Sequence, residues 1–125
     1  MNVRDAMTPV LLTTAPSTTI AEAASLMAQR RVGSALVVED EQLLGIFTER
    51  DIVKALSQDS LATQQAIGHW MTRDPQTITP DASLEEALQR MIGGNFRHLP
   101  VLEDGRLVGM LSMRDISRLT VSGNG

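Results

Sequence analysis

Two short stretches of the chain bring a hydroxyl, an arginine and a carboxylate together: Thr48-Glu49-Arg50-Asp51-Ile52 and Ser112-Met113-Arg114-Asp115-Ile116. They lie 64 residues apart (112 minus 48), and each follows a Gly-apolar-apolar run, Gly45-Ile46-Phe47 and Gly109-Met110-Leu111. Each reads as the corner where a buried strand stops and a helix starts. A hydroxyl followed three residues later by a carboxylate at such a corner can cap the helix, each group satisfying the other's end of the first turn. The same carboxylate can accept both hydroxyls of a ribose through charge-assisted hydrogen bonds. The positive end of the helix favours its ionised form. The hydroxyl and the backbone amides there offer contacts to ribose or phosphate. The arginine fork of Arg50 or Arg114 suits a phosphate.

The elements that position these corners are themselves duplicated. At the same offset, residues 3–52 align with 67–116 without a gap: Met7-Thr8 with Met71-Thr72, Pro16 with Pro80, Met27 with Met91, and Arg50-Asp51-Ile52 with Arg114-Asp115-Ile116. A gapless repeat that keeps turn residues as well as core residues implies duplication of one structural unit. Each copy opens with a short helical lead-in, Val3 to Met7 or Ile67 to Met71, and a short extended stretch, Thr13-Thr14 or Thr77-Ile78. A helix follows, opened by the capping boxes Thr19-Ile20-Ala21-Glu22 and Ser83-Leu84-Glu85-Glu86. Its apolar face carries Ile20, Ala23, Ala24, Met27 and Ala28 in one copy and Leu84, Ala87, Leu88, Met91 and Ile92 in the other. Gly33 and Gly93-Gly94 are expected to mark the helix ends. Two strands joined by a short turn then predict a hairpin, Ala35 to Glu39 with Leu43 to Phe47, and Leu99 to Glu103 with Leu107 to Leu111. Residues 57–66 read as a polar connection between the copies.

The copies differ where the hairpin begins. Gly33-Ser34-Ala35 in the first would let a planar base approach the backbone closely. Arg97-His98 in the second brings one fixed and one titratable cation to the same place.

Composition removes several other functions. A net charge of −4, with Lys54 the only lysine, argues against a nucleic-acid or anionic-membrane surface. Phe47, Trp70 and Phe96 are the only aromatic residues, too few for a stacking platform. The absence of cysteine excludes disulfides, thiol nucleophiles and cysteine-ligated zinc. His69 and His98 have no metal-ligand spacing, so no metal site is expected. No Gly-x-Gly-x-x-Gly, phosphate-loop or Gly-x-Ser-x-Gly motif occurs, so no catalytic residue is assigned and an enzyme is not expected. The longest apolar run, Ala35 to Val38, is far too short to cross a bilayer. No secretory signal is read at the start, and a cytoplasmic protein is expected.

Across residues 3–120 the ordered set of Met-Thr, Pro, capped helix, hairpin and Gly-apolar-apolar-[Thr/Ser]-x-x-Asp resembles the cystathionine β-synthase (CBS) domain, present as the tandem pair called a Bateman module. The resemblance implies an α+β fold of two β-α-β-β-α units, residues 1–62 and 63–125, related by a pseudo-twofold axis. It implies sheets packed together around one shared core, helices outside, and two clefts. It also implies that one or both clefts bind AMP, ADP, ATP or S-adenosylmethionine as ligand, with no cofactor required, and that pairs form homodimers. By the same resemblance Thr14 and Ile78 flank adenine. Gly33, Ser34, Ala35, Arg97 and His98 line the clefts, the basic pair meeting phosphate. Thr48, Arg50, Asp51, Ser112, Arg114 and Asp115 hold ribose and phosphate. The expected function is a non-catalytic regulatory sensor read by an effector protein; the alternative is a ligand-free module for structure and dimerisation.

Overall fold

The computed structural model describes residues 1–9 and 12–124, the side chains of 120–124 excepted. The chain runs α1 (Val3–Ala6), β1 (Thr13–Thr14), α2 (Ile20–Arg30), β2 (Ser34–Glu39), β3 (Gln42–Thr48) and α3 (Glu49–Gln58). Two single turns of tighter helix follow, Ala62–Gln64 and Ile67–His69, then β4 (Thr72–Arg73), α4 (Leu84–Gly94), β5 (His98–Glu103), β6 (Arg106–Ser112) and α5 (Met113–Asn124). These elements form two compact units, Leu12–Pro75, and Met1–Leu11 with Gln76–Gly125.

In the first-repeat unit one sheet has the order β1-β2-β3-β4. β1 is parallel to β2, and β3 is antiparallel to both β2 and β4. Alternate-free apolar strands need cover on both faces, and the core gathers Ile20, Ala23, Met27, Ala35, Val37, Phe47, Ala55, Ala62, Ile67 and Met71. The second-repeat unit has the β5-β6 hairpin, flanked by two single bridges, Ile78 parallel to Val101 and Thr8 antiparallel to Met110. Its core gathers Val3, Ile78, Ala87, Met91, Leu99, Val101, Leu111 and Ile116.

The lead-in of each repeat therefore packs with the other repeat's hairpin. Gly45 and Gly109 show why. A Cβ at Gly45 would lie 2.6 Å from the Thr72 carbonyl oxygen and 2.8 Å from the Met71 sulfur. One at Gly109 would lie 3.0 Å from the Thr8 oxygen and 2.9 Å from the Met7 sulfur. The repeated Met-Thr pair and the repeated glycine are two halves of one contact.

Several local expectations change. Helix α2 ends at Arg31 and α4 at Asn95, both left-handed at φ 56°. Val32 N–H donates to Met27 O and Phe96 N–H to Met91 O, the Schellman pattern. Gly93 and Gly94 are the last two residues of α4, as expected, but the left-handed turn itself falls on Asn95; Gly94 leaves room for the Phe96 ring, which a Cβ there would meet at 2.1 Å. Ile92, expected in the core, is 67% exposed. The Thr19–Glu22 capping box closes in both directions, whereas only the Ser83 half of its counterpart forms. Glu86 instead accepts from Arg90 at 3.3 Å, a partner whose place in the first repeat is taken by Leu26. The 57–66 connection is not merely polar. Ala62 is fully buried, and the Gln65 carbonyl accepts from Ile20 N–H at the opening of α2.

Candidate functional site

Each unit builds one corner from three backbone connections. In the first-repeat unit the register pairs Ser34 with Thr48, and Glu49 N–H donates to Gly33 O at 3.2 Å. This holds the start of β2 against the first turn of α3. Thr14 pairs with Val37 along the same strand and donates its hydroxyl to Leu36 O at 3.0 Å. In the second-repeat unit His98 pairs with Ser112, and Met113 N–H donates to Arg97 O at 2.8 Å. Ile78 N–H donates to Pro100 O at 3.0 Å, and Leu102 N–H returns to Ile78 O at 2.9 Å. Pro100 lacks an amide, yet it suits this strand because the neighbour takes only its carbonyl. The hairpins carry the same irregularity, between Val37 and Val38 and between Val101 and Leu102.

Both aspartates fold back onto their caps. Asp51 Oδ2 accepts from Thr48 N–H at 2.9 Å and from the Thr48 hydroxyl at 3.2 Å, while Asp51 N–H donates to Thr48 Oγ1 at 3.4 Å. Asp115 Oδ2 accepts from Ser112 N–H at 2.8 Å, and Asp115 N–H donates to Ser112 Oγ at 3.1 Å. The amides of Glu49, Asp51, Met113 and Asp115 are thus already engaged, contrary to the expectation that backbone donors at these corners stand free for a ligand. The second carboxylate oxygen, Oδ1, has no partner among the described residues at either aspartate. Capping and ligand contact are therefore compatible in one side chain. Burial pushes the Asp51 carboxyl above the usual carboxylate range. The Thr48 backbone and side-chain hydrogen bonds, then the charges of Lys54 and Arg50, pull the other way.

The remaining candidates fall around these corners at different depths. Ser34 is buried at 6% exposure, Ala35 fully so, and Gly33 half-buried. Thr14 is half-buried and Ile78 buried in its unit's core. His98, Ser112 and Asp115 are half-buried; Arg50, Arg97 and Arg114 are exposed. Neither Arg97 nor Arg114 forms an ion pair among the described residues. Among those residues no group of three His, Cys, Asp or Glu is placed to hold a metal ion, and no helix is long and apolar enough to cross a membrane.

Comparison with known proteins agrees with this fold. The CBS domain family matches residues 3–58 and 67–122. The chain belongs to the CBS domain family, as a tandem pair with the α+β fold of such pairs. It is 40% identical over 105 residues to an uncharacterised 17.7 kDa protein of Acidianus ambivalens and 36% identical over 118 residues to an uncharacterised protein of Methanocaldococcus jannaschii. The matches cover 82% and 94% of this chain but only 63% and 42% of those relatives' own length. Among solved structures, a CBS-domain protein of Agrobacterium tumefaciens superposes with a TM-score of 0.91 at 34% identity, covering 96% of this chain and 99% of that one. The CBS domain pair of protein MJ0100, solved with 5′-methylthioadenosine and S-adenosyl-L-methionine, gives 0.90 at 30% identity and covers 98% of both chains. CBSX2, solved with AMP, gives 0.81 at 26% identity and covers 97% of both. Two of these similar CBS-domain proteins thus bind adenine-containing ligands.

Proposed function

We propose that this chain is a non-catalytic regulatory module of the cytoplasm that binds an adenine nucleoside or nucleotide. AMP, ADP, ATP and S-adenosylmethionine are the ligand set. The observation that carries this reading is the shared state of Asp51 and Asp115: each spends Oδ2 on its cap, and Oδ1 has no partner among the described residues. A ribose diol supplies the donors that such an oxygen lacks. Thr48 and Ser112 place the carboxylates, Gly33, Ser34 and Ala35 or Arg97 and His98 line the approach, and Thr14 and Ile78 flank the base. Arg50 and Arg114 face the phosphate. Ligand preference for one arrangement of the protein shifts its population, and an effector protein reads the result.

The experiment is thermal melting with and without each of the four ligands. A ligand at about 100 times its dissociation constant adds ~2.7 kcal/mol, a shift of several degrees for a chain of this size. No shift with any of them rejects the reading. One observation favours a second role: Val53 and Leu56, three residues apart on α3, are 68% and 40% exposed. That apolar stripe supports self-association as a homodimer, with or without ligand. Sedimentation of the Val53→Glu variant as a monomer beside a dimeric parent is the expected result.

A further inference from the structure

We infer that Arg90, on α4, is a positioning residue for the second-repeat corner: its guanidinium holds the stretch Thr77-Ile78 from the side, standing in for a strand bond that this unit lacks. This rests on the nucleotide-binding reading above, in which Ile78 flanks the base. The observation is a difference between the two extended stretches. In the first-repeat unit Thr13-Thr14 is a strand, and just upstream of it Leu36 N–H donates to Leu12 O at 2.9 Å. At the repeat offset the counterparts of Leu36 and Leu12 are Pro100 and Gln76. Proline has no amide to donate, so the Gln76 carbonyl receives no bond from that place on β5. What remains of the ladder is the single bridge of Ile78 to Val101, with Ile78 N–H donating to Pro100 O and Leu102 N–H to Ile78 O.

Arg90 provides the missing hold. Its Nη1 donates to Thr77 O at 2.9 Å, and its Nη2 meets Glu86 Oε1 at 3.3 Å. Successive residues of an extended chain turn their backbone groups to opposite sides. With Ile78 bonded to β5, Thr77 presents its oxygen on the edge that β5 leaves open. The helix thus grips one edge of the stretch and the strand the other. A bond from a charged donor is stronger than a neutral one. Glu86 fixes the direction of the guanidinium, and it can do so because its own half of the Ser83 cap is not formed. The first repeat is built differently. The counterpart of Arg90 is Leu26, half-buried against the core, and Glu22 stays on its cap with Thr19. The two departures are therefore a pair: the proline removes one bond from the stretch and the arginine returns one.

The test uses the full chain carrying Asp51→Ala, which weakens the first-repeat corner, and adds Arg90→Leu, Arg90→Lys or the pair Arg90→Leu/Pro100→Leu. The Arg90 side chain is 40% exposed, so its loss opens no cavity, and thermal melting checks each fold. Two quantities are read: amide hydrogen exchange without ligand, and affinity by titration calorimetry with AMP, or with S-adenosylmethionine where AMP does not bind. Arg90→Leu should speed exchange of the Ile78 and Leu102 amides about tenfold and leave the rest of the β5-β6 hairpin unchanged. It should weaken the ligand about fivefold or more. Arg90→Lys should recover part of both, because one charged donor returns. Pro100→Leu should recover them too, because it restores the amide that Leu36 has; if the buried proline does not tolerate the change, the lysine variant alone decides the rescue. Unchanged exchange at Ile78 and Leu102 overturns the proposal whatever the chain binds. So does faster exchange with affinity intact, or a loss of affinity that neither variant restores, which is what a merely structural tie would give. Failure of the parent chain to bind either ligand, with exchange responding as expected, overturns the nucleotide reading and leaves Arg90 no site to position.

Discussion

Replacing Asp115 by alanine removes a cap and a proposed ligand contact in one step, and the two losses have different signatures. The cap is the 2.8 Å bond from Ser112 N–H to Oδ2. Losing a capping side chain costs about 1 kcal/mol, which for a chain of this size lowers the melting temperature by roughly 3–5 °C. The ribose contact belongs to Oδ1. A hydrogen bond to a charged group contributes ~1.5–3 kcal/mol, so dissociation constants at that corner rise roughly tenfold to 150-fold. Asp115→Asn separates the terms. Its amide oxygen still accepts from Ser112 N–H, so the melting temperature recovers most of the loss while affinity stays low. Asp51→Ala and Asp51→Asn should behave alike at the other corner. Calorimetric titration beside thermal melting reads both quantities. Alanine variants that melt lower yet bind ligand like the parent would show that each carboxylate serves its helix alone.

Further outcomes follow from the same structure. Burial raises the Asp51 carboxyl in the folded protein above its value in the unfolded chain. This group's contribution to stability is thus fully present below about pH 4 and is lost as pH rises through the raised folded value. Urea melts across that window should show the stability of the parent relative to Asp51→Asn falling with pH; a difference that grows with pH contradicts the assigned cause. Gly45→Ala and Gly109→Ala should each cost about 1–3 kcal/mol through overpacking, with Gly45 the worse because its Cβ meets backbone at 2.6 Å; equal or negligible losses in urea midpoints would count against that contact. Asp40 and Glu41 turn the first hairpin at φ 51° and 65°, where the second uses Asp104 and Gly105. A left-handed non-glycine residue costs roughly 1–2 kcal/mol and glycine returns about 0.4–1 of that through the unfolded chain. Glu41→Gly should therefore stabilise by about 0.5–1 kcal/mol in the same melts.

Much of the local fold is legible in the residues. The capping pairs, the hairpins and the alternation of elements depend on contacts between neighbours in sequence, and Thr48-x-x-Asp51 folds as its spacing dictates. What the spacing cannot reveal is which oxygen of the carboxylate the cap consumes, and therefore that Oδ1 remains. Helix ends were obscured by the glycines: Gly93 and Gly94 invite a stop, but the Schellman turn falls at Asn95, and its counterpart Arg31 carries no stop signal at all. Ile92 satisfies the periodicity of α4 yet faces outward, because a helical pattern fixes a stripe and not its width. The exchange of lead-ins is invisible to an internal repeat, since an alignment of the two copies is blind to which Met-Thr meets which glycine. Arg4 bonds Glu103 at 2.8 Å, while its counterpart in the other copy is Gly68.

That exchange has a consequence for heredity. A gene fragment ending midway between the copies would encode one hairpin without the methionine that fills the space beside its glycine, and its complement would lack the same piece. Recombination that moves the pair between proteins as one cassette keeps both contacts, whereas a lone copy arrives without the lead-in that packs beside its glycine.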